Sequence, residues 1–323
     1  MDIIEHGQRI TLLGDPHLGR SFVHGVPLHR RGEREATVWQ DFVASIRQSD
    51  DCDYHICLGD LFDRWIVPFD LILDVADVYK AAAAERPATT FVILKGNHDW
   101  TRDLTRCSAF DVFAALVADI ANILVVTDVV KRDGLTFYPW HPLWQAKDKL
   151  KGLSGVLFGH FDVEFGDHNQ VPTKLQFERI YTGHDHKARR LVRDCTEVIV
   201  VGSMQPYAHG EEGNDDLYVT LNAADIAPAE MMSDTRDRRL ASLRNRCVRI
   251  VGPFDGEIDC LQLTLARDST ASPDGEIGTV ALGAFDMETL FSEAFAEAGV
   301  SAARTADSLT RYQTQRSAQG GGI

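Results

Sequence analysis

Five short stretches place Asp, Asn or His directly after a glycine: Gly14-Asp15-Pro16-His17, Gly59-Asp60-Leu61-Phe62-Asp63-Arg64, Gly96-Asn97-His98-Asp99, Gly159-His160 and Gly183-His184-Asp185-His186. Taken singly, each reads as an ordinary polar turn. Together they offer carboxylate, carboxamide and imidazole donors, a set suited to a borderline-to-hard divalent ion such as Mn²⁺, Fe²⁺ or Zn²⁺, with Mg²⁺ as a harder alternative. One Asp shared by two such ions, on the order of 3.5–4 Å apart, would make a two-metal hydrolytic centre.

The stretches need elements that bring them together. Each closes a strand-like run, as in RITLLGD, YHICLGD, TFVILKGN, GVLFGH and RIYTGH, and EVIVVGS is a further run of this kind. A strand carries its last residue to one rim of a sheet, and a glycine there lets the backbone turn so that the next side chain projects into a crevice. Between the early runs the period changes. In REATVWQDFVASIRQS, Val38, Phe42 and Ile46 fall four apart and share one helical face. FDLILDVADVYKAAAAER and SAFDVFAALVADI read the same way, and KRDGLTFYPW predicts a turn at Asp133-Gly134 opening a strand. Apolar runs alternating with helices predict substantially buried sheets.

Beyond Asn222 the texture becomes polar and arginine-rich, followed by strand-like CVRIV and CLQLTLA. DMETLFSEAFAEAG predicts a helix with Met287, Leu290, Phe291, Ala294 and Phe295 on its apolar side. These features divide the chain into a domain at 1–222, a small C-terminal α+β unit at 223–316 and a disordered tail at 317–323.

The set Asp15-x-His17, Gly59-Asp60-x-x-Asp63, Gly96-Asn97-His98-Asp99, Gly159-His160 and Gly183-His184-x-His186 resembles the calcineurin-like metallophosphoesterases over roughly residues 9–222. The resemblance implies an α+β, four-layer (αββα) sandwich of two mixed β-sheets with helices outside. It implies that Asp15, His17 and His186 hold one divalent ion, that Asn97, His160 and His184 hold the other, and that Asp60 bridges them. His98 matches the family's phosphate-contacting histidine, which protonates the leaving oxygen, and Asp63 stands where several members orient that histidine. A metal-bound hydroxide would attack phosphorus in line.

Fold does not fix the substrate. Protein phosphatases of this superfamily carry Asp-Arg-Gly and Gly-Asn-His-Glu where this chain has DRW and GNHD, although Arg64 matches their phosphate-contacting arginine. Lipid-A-precursor pyrophosphatases usually lack the histidine of GNHD. Cyclic-nucleotide phosphodiesterases share the metal set but are typically shorter. SbcD-type and phage-type recombination nucleases are the nearest in pattern, through GDPHLG, GDLFD and GHDHKAR…EVIVVGSMQPYAHGEEGNDDLYVTL. In that branch a strand ending in Gly-Ser is followed by a hairpin that resumes the sheet. The branch implies a Mn²⁺-dependent DNA exonuclease or endonuclease serving repair, recombination or replication, a coiled-coil SMC-type ATPase partner and a homodimer. A small-molecule phosphoesterase is the competing enzyme reading, and a metal-stabilised interaction subunit is the non-enzymatic one.

The net charge of −15 argues against broad electrostatic attraction to nucleic acid or anionic membrane. Positive charge is nevertheless clustered at His29-Arg30-Arg31 with Arg34, at Lys187, Arg189, Arg190 and Arg193, and at Arg236, Arg238, Arg239, Arg244, Arg246 and Arg249. Arg20, Arg30, Arg31, Arg64, Lys187 and Arg189 are therefore candidate phosphate contacts, unless Asp and Glu pair with them. Trp140 and His141, with Trp144, would stack on an unpaired base or else pack a loop onto the core. No N-terminal apolar stretch resembles a signal peptide and no run spans a bilayer, which predicts a cytoplasmic chain without membrane contact. The six scattered cysteines form no CxxC pair and read as buried thiols.

Overall fold

Strands buried on both faces serve two cores at once, because successive side chains point to opposite sides. A computed structural model describes residues 1–47, 52–163, 169–211, 217–226, 241–254, 258–266 and 306. Strands β1 (Asp2–Glu5), β2 (Gln8–Leu13), β3 (Tyr54–Cys57), β4 (Thr90–Leu94) and β5 (Ile123–Val126) form one sheet in that order. Only the β1–β2 pair in it is antiparallel. The second sheet contains β6 (Val130–Arg132), β7 (Leu135–Tyr138), β8 (Ser154–His160), β9 (Gln176–Gly183), β10 (Arg189–Arg193) and β11 (Thr196–Val200). Its order is β10-β11-β9-β8-β7-β6, antiparallel at both edges and parallel within.

The two sheets pack face to face. Ile10, Leu12, Tyr54, Ile56, Val92 and Leu94 of the first meet Leu135, Phe137, Val156, Phe158, Tyr181 and Ile199 of the second. The alternate residues Cys57, Phe91 and Ile93 turn outward onto helices α1 (Glu33–Arg47), α2 (Phe69–Glu85) and α3 (Ala109–Val117). Val38, Phe42 and Ile46 are the buried apolar face of α1, as their spacing predicts. On the far side of the second sheet, Tyr138, Leu157, Phe177, Ile180 and Val198 are covered by Phe161 and the short helix α4 (Ala146–Lys149). This is the expected four-layer α+β sandwich of two mixed sheets, with one outer layer much thinner than the other.

Local sequence accounts for several boundaries. Helix α3 starts at a reciprocal cap in which the Ser108 hydroxyl accepts from Asp111 N–H, and the Asp111 carboxylate accepts from Ser108 N–H. Asp133 and Gly134 join β6 to β7 with φ of 52° and 81°, as a two-residue hairpin turn of the mirror-image type demands.

Two expectations are corrected. The strand β12 (Tyr218–Asn222) does not resume the second sheet: it pairs in parallel with β13 (Cys247–Val251), which pairs with β14 (Gln262–Ala266). Its apolar residues Val219 and Leu221 join Val248 and Ile250 in a small separate core. Strand β12 precedes the boundary expected at Asn222, and its partner follows it. The cysteines are also not uniformly buried, since Cys107 and Cys195 are exposed. Cys195 sits in the β10–β11 turn with φ of 68°.

The chain forms two compact units, Met1–Asp268 and Ser269–Ile323. The second lies almost wholly outside the described residues, as do the helix expected at 287–295, the tail at 317–323, and Arg236, Arg238 and Arg239. Among the described residues no helix is long and apolar enough to cross a membrane.

Candidate metal centre

The parallel ladder continues past the strand ends. Leu58 N–H donates to Leu13 O, His17 N–H to Asp60 O and Leu18 N–H to Leu61 O, each at 3.0 Å. These bonds lace the loop after β2 to the loop after β3 and set Asp15, His17 and Asp60 at one rim. Three of the expected ligands occupy the left-handed backbone region: His17 (φ 46°), Asp60 (φ 47°) and His184 (φ 78°). Each such residue costs on the order of 1–3 kcal/mol, and the cost persists only where the surroundings enforce it.

The glycines before the ligands serve space as well as turning. A methyl group on Gly59 would overlap His160 Nδ1, one on Gly96 would overlap Asp60 Oδ1, and one on Gly183 would overlap Asp15 Oδ1. Three of the five ligand-bearing loops thus rest their glycine against a candidate ligand from another strand.

All seven expected ligands come together. Asp15, His17 and His186 form one group of donor atoms, and Asp60, His160 and His184 form another. Asn97 Oδ1 lies 2.8 Å from His160 Nε2 and 2.9 Å from His184 Nδ1, which adds it to the second group. Asp60 Oδ2 lies between the groups, 3.6 Å from His17 Nε2 and 3.4 Å from His160 Nε2. Its other oxygen accepts from His98 N–H at 2.8 Å. His160 Nδ1 donates to Leu58 O at 2.9 Å, so its Nε2 lone pair is left for the centre.

The electrostatics call for a cation. Burial raises Asp15 to about 7 and lowers His17 to about 3. Burial also works against ionising Asp60, but His160 and His17 hold it well below the ordinary carboxylate range. Burial lowers His160, yet Asp60 and Asp15 outweigh it and bring the ring to about 9. Asp15 Oδ1 and His17 Nδ1 are buried without a hydrogen-bond partner. His17 Nε2 and His186 Nε2 stand 3.0 Å apart, a spacing that needs a proton or a cation between them. Two carboxylates, a carboxamide and four imidazoles converging in this way fit a pair of divalent ions.

Other expected residues fall around the rim. His98 is exposed and packs edge-on against His17, with ring centroids 4.7 Å apart. Its Nδ1 donates to the backbone carbonyl of Asp63 at 2.6 Å. The Asp63 carboxylate points elsewhere, 3.6 Å from His17 Nδ1, 3.6 Å from Arg20 Nη1 and 3.4 Å from Arg64 Nη2. Arg20 and Arg64 therefore flank the mouth of the centre. Arg30 is buried and committed to Glu33, Asp259 and the Arg244 carbonyl, while Arg31 is exposed. Arg189 pairs with Asp185 at 2.7 Å and Arg190 with Glu197 at 3.8 Å, and Arg193 donates to Val163 O at 2.5 Å. Lys187 is exposed.

Trp140 N–H donates to Lys95 O, and its own carbonyl accepts from Trp100 Nε1, both at 2.9 Å. His141 stacks on Trp144 at 4.1 Å, and Lys149 Nζ lies 3.8 Å from the Trp144 ring centre. These contacts match the loop-packing reading of the aromatic cluster.

Three further residues at the centre lie outside the expected set. Asp99 is fully buried and accepts from Gly96 N–H (2.9 Å), Phe62 N–H (3.0 Å) and Leu61 N–H (3.3 Å), clamping two ligand loops together. Tyr207 donates to Pro16 O and packs its ring against His17 and His186. Glu211 Oε1 lies 3.1 Å from His186 Nδ1. Only the GNHD motif gives any sequence hint, for Asp99, and it does not distinguish a clamp from a ligand.

A pH dependence follows for the metal-free protein. Because His160 is raised from 6.5 to about 9, its contribution to stability is present below pH 6.5 and lost as pH rises through 9. Asp15, raised from 3.8 to about 7, loses stability over the window just below, and Asp99 does the same. His17 acts oppositely, but only between about 3 and 6.5. The melting temperature of chelator-treated protein should therefore fall from pH 6.5 to pH 9, and saturating Mn²⁺ should remove that fall because ions take the deprotonated ligands. A metal-free melting temperature that is flat or rising over this range would contradict the electrostatic description.

The similar solved structures include two of low identity. Phosphopantetheinyl hydrolase (PptH) from Mycobacterium tuberculosis is 16% identical, covering 61% of this chain and 93% of its own, with a TM-score of 0.35. The nuclease MPE from Pseudomonas putida is 15% identical, covering 65% of this chain and 89% of its own, with a TM-score of 0.33. No curated protein sequence matches. The family model for calcineurin-like phosphoesterases matches residues 8–188, more than half of the 323 residues, and the chain belongs to that family.

Proposed function

We propose that the chain is a two-metal phosphodiester hydrolase whose substrate is DNA. The observation that carries the hydrolytic reading is the position of Asp60 Oδ2, between His17 Nε2 at 3.6 Å and His160 Nε2 at 3.4 Å, where one carboxylate would serve two ion sites. Divalent ions held there, with Mn²⁺ as the lead candidate, would neutralise phosphate charge and lower the pKa of water.

The chain's own groups supply the rest. His98 Nδ1 donates a hydrogen bond to the Asp63 carbonyl, which leaves Nε2 of this exposed side chain for the substrate. A proton held at that nitrogen is placed to go to the leaving oxygen. Arg20 and Arg64 present guanidinium groups on either side of Asp63, suited to non-bridging phosphate oxygens. DNA as the substrate is supported by the motif pattern shared with recombination nucleases and by exposed Arg31 and Lys187.

A second reading, a small-molecule phosphoesterase, is favoured by one feature. Arg189, Arg190 and Arg30, expected as contacts for a nucleic-acid backbone, are paired with Asp185, Glu197 and Glu33. A side chain paired in this way adds little to counterion release.

His98→Ala should reduce turnover by about 10²–10⁴-fold while the protein still binds two ions; undiminished turnover would remove His98 from the reaction. The substrate is decided by testing Mn²⁺, Mg²⁺, Fe²⁺ and Zn²⁺ against linear duplex DNA, circular single strands and a chromogenic phosphodiester. Degradation of either DNA with Mn²⁺ is the expected result. Rapid cleavage of the chromogenic ester with both DNAs intact would replace the nuclease reading by the small-molecule one.

A further inference from the structure

An imidazole ligand is held by what its second nitrogen bonds, and a carboxylate there makes the ring a stronger donor than a carbonyl does. The two ligand groups differ on this point. His160 Nδ1 meets a neutral partner, the Leu58 carbonyl, at 2.9 Å. His186 Nδ1 meets the carboxylate of Glu211 at 3.1 Å. Facing the same group, the Asp63 carboxylate stands 3.6 Å from His17 Nδ1. The group of Asp15, His17 and His186 also holds a carboxylate where the other has the carboxamide of Asn97.

Glu211 is itself fixed. Its second oxygen accepts from Tyr207 N–H at 2.8 Å, and its own N–H donates to Ala208 O at 3.3 Å. The segment carrying it is fastened to the centre at several points. Ser203 N–H donates to His186 O at 3.1 Å and Met204 N–H to Asp15 O at 3.3 Å. The Tyr207 hydroxyl reaches the Pro16 carbonyl, and from behind, buried Arg34 donates to Gln205 and to the Pro206 carbonyl. With Nδ1 turned to Glu211, His186 directs Nε2 toward His17 and Asp15.

We infer that Glu211 is a positioning residue that fixes His186 as a ligand and makes the Asp15–His17–His186 site the tighter of the two divalent-ion sites. The inference rests on the two-ion reading of the centre. Its consequence is sequential loading: one ion is retained at low metal concentration, and the centre is complete only when the site of Asn97, His160 and His184 fills.

Calorimetric titration of the metal-stripped full chain with Mn²⁺ tests this without any substrate. The intact protein should take up two ions in steps of unequal affinity, and His186→Ala should abolish the tighter step. Glu211→Ala should weaken that step by roughly 10–100-fold and leave the weaker step within about twofold of its original value. Glu211→Gln keeps the size of the side chain and an acceptor oxygen, so it should fall between the two and serves if the alanine variant does not fold. Unchanged affinities in both Glu211 variants, or equal weakening of both steps, would overturn the assignment. Uptake of a single ion by the intact protein would overturn the two-ion reading itself, and Glu211 would then have no pair of sites to distinguish.

Discussion

Two carboxylates, Asp15 and Asp60, and two imidazoles, His17 and His160, are withdrawn almost completely from water at one point of the fold. Charged groups buried this way cost several kcal/mol each unless opposite charge and hydrogen bonds offset the loss of hydration. In the metal-free protein the His160 imidazole supplies part of that charge within the cluster, while Arg20 and Arg64 stand at its mouth, turned toward Asp63. Divalent ions are the chemical complement, and the surrounding structure is organised to hold their ligands. Left-handed backbone at His17, Asp60 and His184, and glycines with no room for a Cβ, follow from packing several ligand-bearing loops onto one small volume.

The share of this legible in the sequence follows from where the information resides. The candidate ligands could be picked out because residue type and adjacency carry their chemistry, and a strand end plus glycine carries their placement. The buried face of α1 could be read because its apolar residues recur every four positions. Asp99 could not, because its role depends on the Leu61 and Phe62 amides, more than thirty positions away along the chain. Glu211 and Tyr207 lie in a polar stretch whose composition is that of any loop, and only the folded chain brings them to His186 and Pro16. Strand β12 read correctly as a strand. Its partner did not, since pairing is settled by the small core that Val219 and Leu221 share with Val248 and Ile250.

The basic run after the last ligand pair illustrates a different limit. A cluster of arginines signals a polyanion only if the charges are free. In the folded chain Arg189 meets Asp185 one helical-turn spacing earlier, Arg190 meets Glu197 on the neighbouring strand, and Arg193 meets a carbonyl. The aromatic cluster behaves alike, its rings packed against His141, Lys95 and Lys149. Chemistry at the centre is thus set by residues that motifs reveal. The proposed substrate contacts, Arg20 and Arg64 beside Asp63 together with exposed Arg31 and Lys187, are single positions that carry little pattern.

The central claim is that the converging ligands form one centre for two ions. Anomalous-difference maps from crystals grown with Mn²⁺ test it most directly. The account predicts two peaks on the order of 3.5–4 Å apart, one bounded by Asp15, His17 and His186 and the other by Asn97, His160 and His184, with Asp60 touching both. A single peak, or two peaks with Asp60 bound to only one of them, would contradict it.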